Sequence, residues 1–105
     1  MEWFYRIRAQ VAEILSSDNR WFAGEHHHKE VKDDETLGRY FVRSGGAKNF
    51  AQRWSEAMSR DNRWFCGLYY HRQINCPGVL WRYYMAVRRG QKPPPLEGPE
   101  ACGCL

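Results

Sequence analysis

The sequence has no long apolar run and none of the short motifs that identify common enzyme classes. A membrane-spanning helix needs about 18 consecutive apolar residues, and no stretch of the sequence approaches that length. A nucleophile elbow, a phosphate-binding loop, a paired-carboxylate motif and a zinc-protease helix are also missing. These absences predict no membrane span and favour a protein that is not an enzyme. A small enzyme without a recognisable motif is the alternative.

Export signals are missing as well. The stretch "MEWFYRIRAQVAEIL" has an early acidic residue and no cleavage-site pattern, unlike a secretory signal. With four cysteines and no export signal, reduced thiols are favoured over a disulfide framework. We therefore expect a cytoplasmic protein. The terminal "CGCL" fits the outline of a prenylation box with Cys102 as acceptor; the alternatives are a disulfide-linked tail and no modification.

Aromatic residues and arginine are abundant. Five Trp, six Tyr and five Phe in 105 residues supply the apolar area for the core of one domain. The 16 basic residues are mostly arginine and outnumber 12 acidic ones, which gives a net charge of +4. This balance favours an anionic partner. A GC-rich genome would produce the same arginine bias without any functional cause.

The chain repeats itself at a spacing of 43 residues. Residues 6–41 align without a gap on residues 49–84, and twelve positions are identical. The identical pairs are Glu13/Glu56, Ser16/Ser59, the five residues of "DNRWF" at 18–22 and 61–65, Gly24/Gly67, His28/His71, Leu37/Leu80, Arg39/Arg82 and Tyr40/Tyr83. The pattern predicts a single domain over residues 1–90 built by tandem duplication, with repeats 1–46 and 47–90.

Each repeat begins with a helical pattern. Apolar residues recur at i, i+4, i+7 and i+8 from Ile7 and again from Phe50, which predicts helices over residues 3–16 and 47–59. The following Asp-Asn is typical of a helix end. The aromatic-rich segments "RWFAGEHHH" and "TLGRYFVR", with their counterparts in the second repeat, favour strands separated by the turns "KDDE" and "NCPG".

The predicted fold is therefore α+β, with the order αββαββ. Two hairpins form a four-stranded antiparallel sheet with both helices on one face and a pseudo-twofold axis between the repeats. This element order resembles a circular permutation of the ferredoxin-like sandwich. Residues 91–105 are rich in proline and lack aromatics, which predicts a flexible tail in an extended or polyproline conformation.

The second repeat is the more apolar one. Its predicted strand has apolar side chains on both faces. Either other parts of the protein cover both faces, or one face exposes an apolar patch that binds a partner. We expect a homodimer through this surface, with the interface residues Leu68, Tyr70, Trp81 and Tyr84.

Polar residues kept in both repeats are the candidate ligand-binding set. Arginine pairs with anions, and tyrosine or histidine supplies hydrogen bonds, so these residues would line a groove between the repeats for a small anionic ligand. The alternative is that they brace each half through cation-π and hydrogen-bond contacts. The set is His28, His71, Arg39, Arg82, Tyr40 and Tyr83.

Metal binding and nucleic-acid binding are the alternatives to a small-ligand groove. His26 and His28 would face the same way on a strand and suit a metal if His71 approached. No carboxylate or cysteine completes a recognised site, so no metal and no cofactor are expected. Arginines interleaved with aromatics, as in "RWFCGLYYHR", favour RNA or DNA binding through a sheet face as the alternative function. The main hypothesis is a small non-enzymatic binding module.

Overall fold

The computed structural model describes residues 2–96, and within them the chain forms six α-helices and no β-strand. The chain divides into two compact units, the first ending at Gln52 and the second beginning at Arg53. The helices are α1 (Glu2–Ile14), α2 (Ser17–His27), α3 (Asp34–Arg43), α4 (Gly46–Ala57), α5 (Arg60–Tyr70) and α6 (Pro77–Arg88).

Each unit is built from helices that pack side by side. In the first unit α1, α2 and α3 all contact one another. In the second unit α5 packs on α6, and Trp54 near the end of α4 lies against Trp81 of α6 with ring centroids 5.3 Å apart. Helices α2 and α5 begin and end at positions that differ by the 43-residue period of the repeat.

The predicted α+β sandwich is wrong, and so is its resemblance to a ferredoxin-like fold. The two helices that the periodicity predicts are present as α1 and α4, with bounds shifted by one or two residues. The segments predicted as strands are α2, α3, α5 and α6. No sheet face therefore exists in residues 2–96, and the arginine-aromatic residues assigned to it lie on helices.

Helix-capping residues explain why the segments predicted as turns are the N-termini of helices. Ser16 precedes α2, and its Oγ accepts a hydrogen bond from the Asn19 backbone N–H at 3.2 Å. Asp33 caps α3 in the same way by accepting from the Thr36 N–H at 2.9 Å. The Thr36 hydroxyl also donates to this carboxylate at 2.6 Å, and the hydroxyl and backbone hydrogen bonds together lower the pKa of Asp33. Pro77 occupies the first turn of α6, where a missing N–H costs nothing. Each predicted break is therefore a helix N-terminus.

The two units enclose equivalent hydrophobic clusters. Leu37 and Leu80 are fully buried, as are Ala23 and Cys66, which also align in the repeat. In the first unit the buried cluster is Ala23, Val31 and Leu37, with Ile14, Leu15 and Tyr40 packed against it. In the second unit it is Cys66, Ile74, Val79 and Leu80, with Met58, Tyr70, Cys76, Tyr83 and Leu96 packed against it.

One asparagine connects the three helices of the first unit. Asn19 lies in the first turn of α2, and its Nδ2 donates to the Ile14 carbonyl at the end of α1 at 2.8 Å. The same Nδ2 lies 3.4 Å from the Leu37 carbonyl oxygen in α3. Asn62 makes the equivalent two bonds in the second unit at 2.7 and 3.4 Å. This asparagine is the second of the five repeated "DNRWF" residues.

The first residues of the proline-rich tail lie against the second unit. Pro93 is buried, Leu96 packs on the hydrophobic cluster, and the Tyr70 hydroxyl donates to the Pro94 carbonyl at 2.5 Å. Residues 91–96 form neither helix nor strand. The remainder of the predicted flexible tail, residues 97–105, and the prenylation hypothesis for Cys102 lie outside the described residues.

The asparagine bridge predicts a large effect for an isosteric change. Asn62→Asp removes the donor and places a carboxylate against two carbonyl oxygens, so we expect the free energy of unfolding to fall by about 2 kcal/mol. Urea denaturation followed by circular dichroism measures this loss. Asn49→Asp on the exposed surface of α4 is the control and should change stability by no more than about 0.5 kcal/mol. Equal effects of the two changes would contradict the bridge.

The buried thiol predicts a loss of stability at high pH. Burial raises the pKa of Cys66 to about 11 from an ordinary value of 9.0, so the folded state keeps a proton that the unfolded chain releases. Stability from this group is present below pH 9 and is lost as the pH rises towards 11. Cys66→Ala reproduces the residue at the equivalent position of the first unit.

For Cys66→Ala we expect the fall in unfolding free energy between pH 8 and pH 11 to be smaller by about 2 kcal/mol. Urea titrations at a series of pH values measure it. Part of the fall must remain, because burial also raises the pKa of Tyr70 and of Tyr83. An unchanged pH profile would show that the Cys66 thiol does not titrate in this range.

Candidate binding faces

Several of the identical residues in the repeat have a structural role. Besides the serine caps, the asparagine bridges and the buried leucines, Gly24 and Gly67 permit a close chain approach. A Cβ atom at Gly24 would lie 3.2 Å from the Lys29 carbonyl oxygen, and a Cβ at Gly67 would lie 3.2 Å from that of Arg72. These positions favour glycine because the neighbouring backbone leaves little room.

The two predicted ligand histidines are helix caps. His28 and His71 end α2 and α5 with φ of 57° and 56°, in the left-handed region. Their backbone N–H groups donate to the carbonyls of Gly24 and Gly67. Both side chains are exposed. Backbone geometry therefore accounts for a polar residue at each position, and a role in ligand binding stays a prediction.

Three consecutive identities have no role in either hydrophobic core. Trp21 is 60% exposed and its counterpart Trp64 is 61% exposed. Phe22 and Phe65 are each 54% exposed. Together with the exposed Arg20 and Arg63, they form two surfaces that we call the first and second Arg–Trp–Phe faces, which are residues 20–22 and residues 63–65.

Helix geometry places these side chains outward. The buried side of α2 is set by Asn19 and Ala23, one turn apart. Arg20, Trp21 and Phe22 fall between them and must project from the other sides of the helix. The indole and phenyl rings of Trp21 and Phe22 meet edge to face with centroids 4.9 Å apart. The Trp64 and Phe65 rings are 5.1 Å apart in a similar arrangement.

A shallow groove accompanies each Arg–Trp–Phe face. In the first unit it measures about 360 Å³ and is lined by Arg20, Trp21, Gly24, Glu25, His28, Lys29 and Glu30. In the second unit it measures about 410 Å³ and is lined by Arg63, Trp64, Gly67, Leu68, Arg72, Gln73, Ile74 and Asn75. The two grooves lie at equivalent positions of the repeat.

Charge distinguishes the two grooves. Each contains the repeated arginine and a second cation, which is Lys29 in the first groove and Arg72 in the second. The first groove also contains Glu25 and Glu30, whereas leucine and glutamine replace these carboxylates in the second. The second groove therefore has the more positive lining.

No protein-family model matches this sequence, and no match was found among curated proteins or solved structures. Within residues 2–96, no helix combines the length and the apolar character needed to cross a membrane.

The other predicted ligand residues lie on the third helix of each unit. Arg39 is exposed on α3 and forms an ion pair with Glu35 one turn earlier. Arg82 is exposed on α6. Tyr40 and Tyr83 are half-buried and pack on the two hydrophobic clusters. Packing on the hydrophobic clusters therefore explains why tyrosine occurs in both repeats.

The predicted interface residues occupy different environments. Leu68 is 54% exposed and lines the second groove. Tyr70 is half-buried and bonds to the proline-rich segment. Trp81 lies against Trp54, and its ring stacks on that of Tyr84 at 6.3 Å. The structure thus places Leu68 on open surface and the aromatic members in contacts within the second unit.

The histidine cluster considered for metal binding lies at the end of α2. The rings of His26 and His27 meet edge to face at 4.9 Å, and His26 also lies 5.6 Å from the Tyr40 ring. No group of three or more histidine, cysteine, aspartate or glutamate side chains suited to a metal ion occurs in the part of the chain that the structure describes.

The left-handed caps predict that a glycine is better than the native histidine. His71→Gly relieves the positive φ, so we expect the free energy of unfolding to rise by about 0.5–1 kcal/mol. His26→Gly makes the same chemical change inside α2 and should lower it by about 1 kcal/mol. Thermal and urea unfolding compare the two. A loss of stability in His71→Gly would mean that the imidazole contributes contacts of its own.

Proposed function

We propose that this protein is a non-enzymatic binding module that presents the same Arg–Trp–Phe face twice, once in each unit. The observation that carries the proposal is the equal exposure of Trp21 and Trp64, at 60% and 61%. The duplicated units have diverged at most positions. These exposed aromatic residues are nevertheless identical, although neither core needs them.

The composition of the faces suits a protein interface. Tryptophan and arginine are the residue types that dominate binding energy when an interface buries them. A solvent-exposed indole beside a phenyl ring offers a large apolar area, and arginine at its edge supplies hydrogen bonds to a partner. A second copy of the chain is the partner that we propose. The sequence also predicts a homodimer, but through Leu68, Tyr70, Trp81 and Tyr84 instead of these faces.

The reactive side chains of the second unit offer little support for an enzyme. Cys66 is fully buried, and the raised pKa of its thiol, about 11, keeps it protonated near neutral pH. A protonated, buried thiol is a poor nucleophile. The cytoplasmic location and a small anionic ligand for the grooves stay predictions from the sequence.

Nucleic acid is the second candidate partner, and the lining of the second groove favours it. Arg63 and Arg72 flank Trp64 without a carboxylate among the lining residues. Aromatic rings stack on unpaired bases while arginine pairs with phosphates. In this alternative, single-stranded RNA or DNA binds the second Arg–Trp–Phe face more tightly than the first, where Glu25 and Glu30 repel phosphate.

The proposal predicts that removing both tryptophans weakens association without unfolding the protein. For the double variant Trp21→Ala with Trp64→Ala, we expect the free energy of unfolding to change by about 0.5 kcal/mol or less, because both side chains are exposed. We expect the dimer to weaken at least about tenfold, because hot-spot tryptophans contribute more than about 1.4 kcal/mol. Sedimentation velocity over a concentration series measures the association.

Trp3→Ala is the matched control, since Trp3 is 63% exposed but lies outside the repeated segment. An equal effect of Trp3→Ala on association would overturn the assignment to the repeated faces. If the wild-type protein is a monomer at high concentration, the homodimer proposal is wrong. Filter binding of a single-stranded oligonucleotide at 50 and 200 mM salt tests the alternative. Binding to phosphates should weaken by orders of magnitude over that range.

A further inference from the structure

A second site, separate from the Arg–Trp–Phe faces, lies on the second unit where the proline-rich segment bonds to Tyr70, one of three neighbouring tyrosines. We call Tyr69, Tyr70 and Tyr83 the tyrosine cradle. Their ring centroids lie 4.9 to 6.2 Å apart. The segment Pro93–Leu96 meets this surface with Pro93 buried and with Leu96 on the hydrophobic cluster below.

The backbone of this segment is held in an extended form by its own chemistry. Each proline fixes its φ near −65°, and a residue that precedes proline is kept out of the helical region. Lys92, Pro93 and Pro94 all precede a proline. These restrictions favour the polyproline II conformation, whose carbonyl groups point outward without internal hydrogen bonds.

The cradle has two features of a polyproline receptor, namely a cluster of aromatic rings and a hydrogen-bond donor to the segment. Such receptors use an aromatic-lined surface for the proline rings, and the ligand's ordering cost is small because it is already extended. Here the Tyr70 hydroxyl donates to the Pro94 carbonyl at 2.5 Å. Burial raises the pKa of Tyr70, so its hydroxyl stays protonated and able to donate at neutral pH.

Comparison of the two units shows what is special to the cradle. Tyr69 and Tyr70 occupy the positions of His26 and His27 in the first unit, while the third position is tyrosine in both. The first unit closes an equivalent hydrophobic cluster with Ile14, Leu15 and Tyr40 as its outer members. The repeat thus builds its core without a proline segment, and the second unit has gained two hydroxyl-bearing aromatics at the place where the segment docks.

The connection to α6 allows the segment to leave. Gly90 has φ of 70°, and residues 89–92 are exposed. A short exposed link with a glycine in the left-handed region lets the chain change direction beyond α6 without disturbing the helix.

We propose that the tyrosine cradle is a binding site for proline-rich peptides in the polyproline II conformation, and that Pro93–Leu96 is the ligand that occupies it at rest. A proline-rich segment of a partner competes with this resident ligand. Because the resident is tethered, its effective concentration is roughly millimolar, and a weak external peptide binds measurably after the resident is weakened.

The test uses the full chain with and without a reducing agent, because Cys76 in the same unit is disulfide-bonded, contrary to the reduced thiols that the sequence favours. A labelled peptide with the sequence of residues 91–96, QKPPPL, is titrated and followed by fluorescence anisotropy. Leu96→Glu weakens the resident segment by placing a charge against the hydrophobic cluster. We expect this variant to bind the peptide at least tenfold more tightly than wild type does.

Adding Tyr70→Phe to the Leu96→Glu variant should weaken peptide binding about tenfold, because it removes the hydroxyl that donates to the peptide carbonyl. His27→Phe, at the equivalent position of the first unit, should leave binding unchanged. The peptide QKAAAL should not bind. If Leu96→Glu reduces the helical circular dichroism signal, Leu96→Ala takes its place as the weakened resident.

Two results would overturn the site. The first is equal binding of QKPPPL and QKAAAL, which would show a nonspecific apolar contact. The second is no binding of QKPPPL at millimolar concentration to a helical Leu96 variant. Since the Arg–Trp–Phe faces are elsewhere, the variants Trp21→Ala and Trp64→Ala should bind QKPPPL as wild type does.

Discussion

The hydrogen bonds of one asparagine amide connect the helices on which the rest of each unit depends. Asn19 lies on α2 and donates to α1 and α3 from a single nitrogen atom. The serine that caps α2 donates its own hydroxyl back to the Glu13 carbonyl at 2.7 Å. The end of one helix, the start of the next and the middle of the third are therefore fixed together. The hydrophobic cluster forms behind this junction, and the Arg–Trp–Phe face is directed outward by it.

The sequence predicts the repeat period and two of the six helices, because α1 and α4 carry apolar residues at helical spacing. It does not predict α2 and α5, because their buried side is narrow. Ala23 and Cys66 are the residues of these helices that reach full burial, while Trp, Phe and Leu side chains on the same helices are exposed. The exposed aromatic residues obscure the apolar spacing of a helix and raise the β-strand propensity of these segments. Ser16 and Asp33 were available as capping signals, but aspartate and asparagine are also typical of turns.

The candidate site was partly visible in the sequence. The identity of "DNRWF" in both repeats is the signal that marks residues 20–22 and 63–65. If these residues formed a strand, however, Trp and Phe would lie on opposite faces of the sheet and would be assigned to the core. Helical geometry separates the five residues by role, since asparagine faces inward and the three that follow face solvent. His28 and His71 are predicted from the sequence as ligand residues, but their left-handed backbone conformation is a sufficient reason for a polar residue at each position.

Short sequence separation within each unit has a consequence for how the chain folds during synthesis. The bond from Asn19 to Leu37 spans 18 residues, and every member of the first hydrophobic cluster lies between Ile14 and Tyr40. Chains with such local contacts fold quickly, because little loop entropy is lost before packing is gained. The first hydrophobic cluster can therefore form as soon as residues 14–40 have left the ribosome. The second unit follows 43 residues later with equally local contacts, since the bond from Asn62 to Leu80 also spans 18 residues.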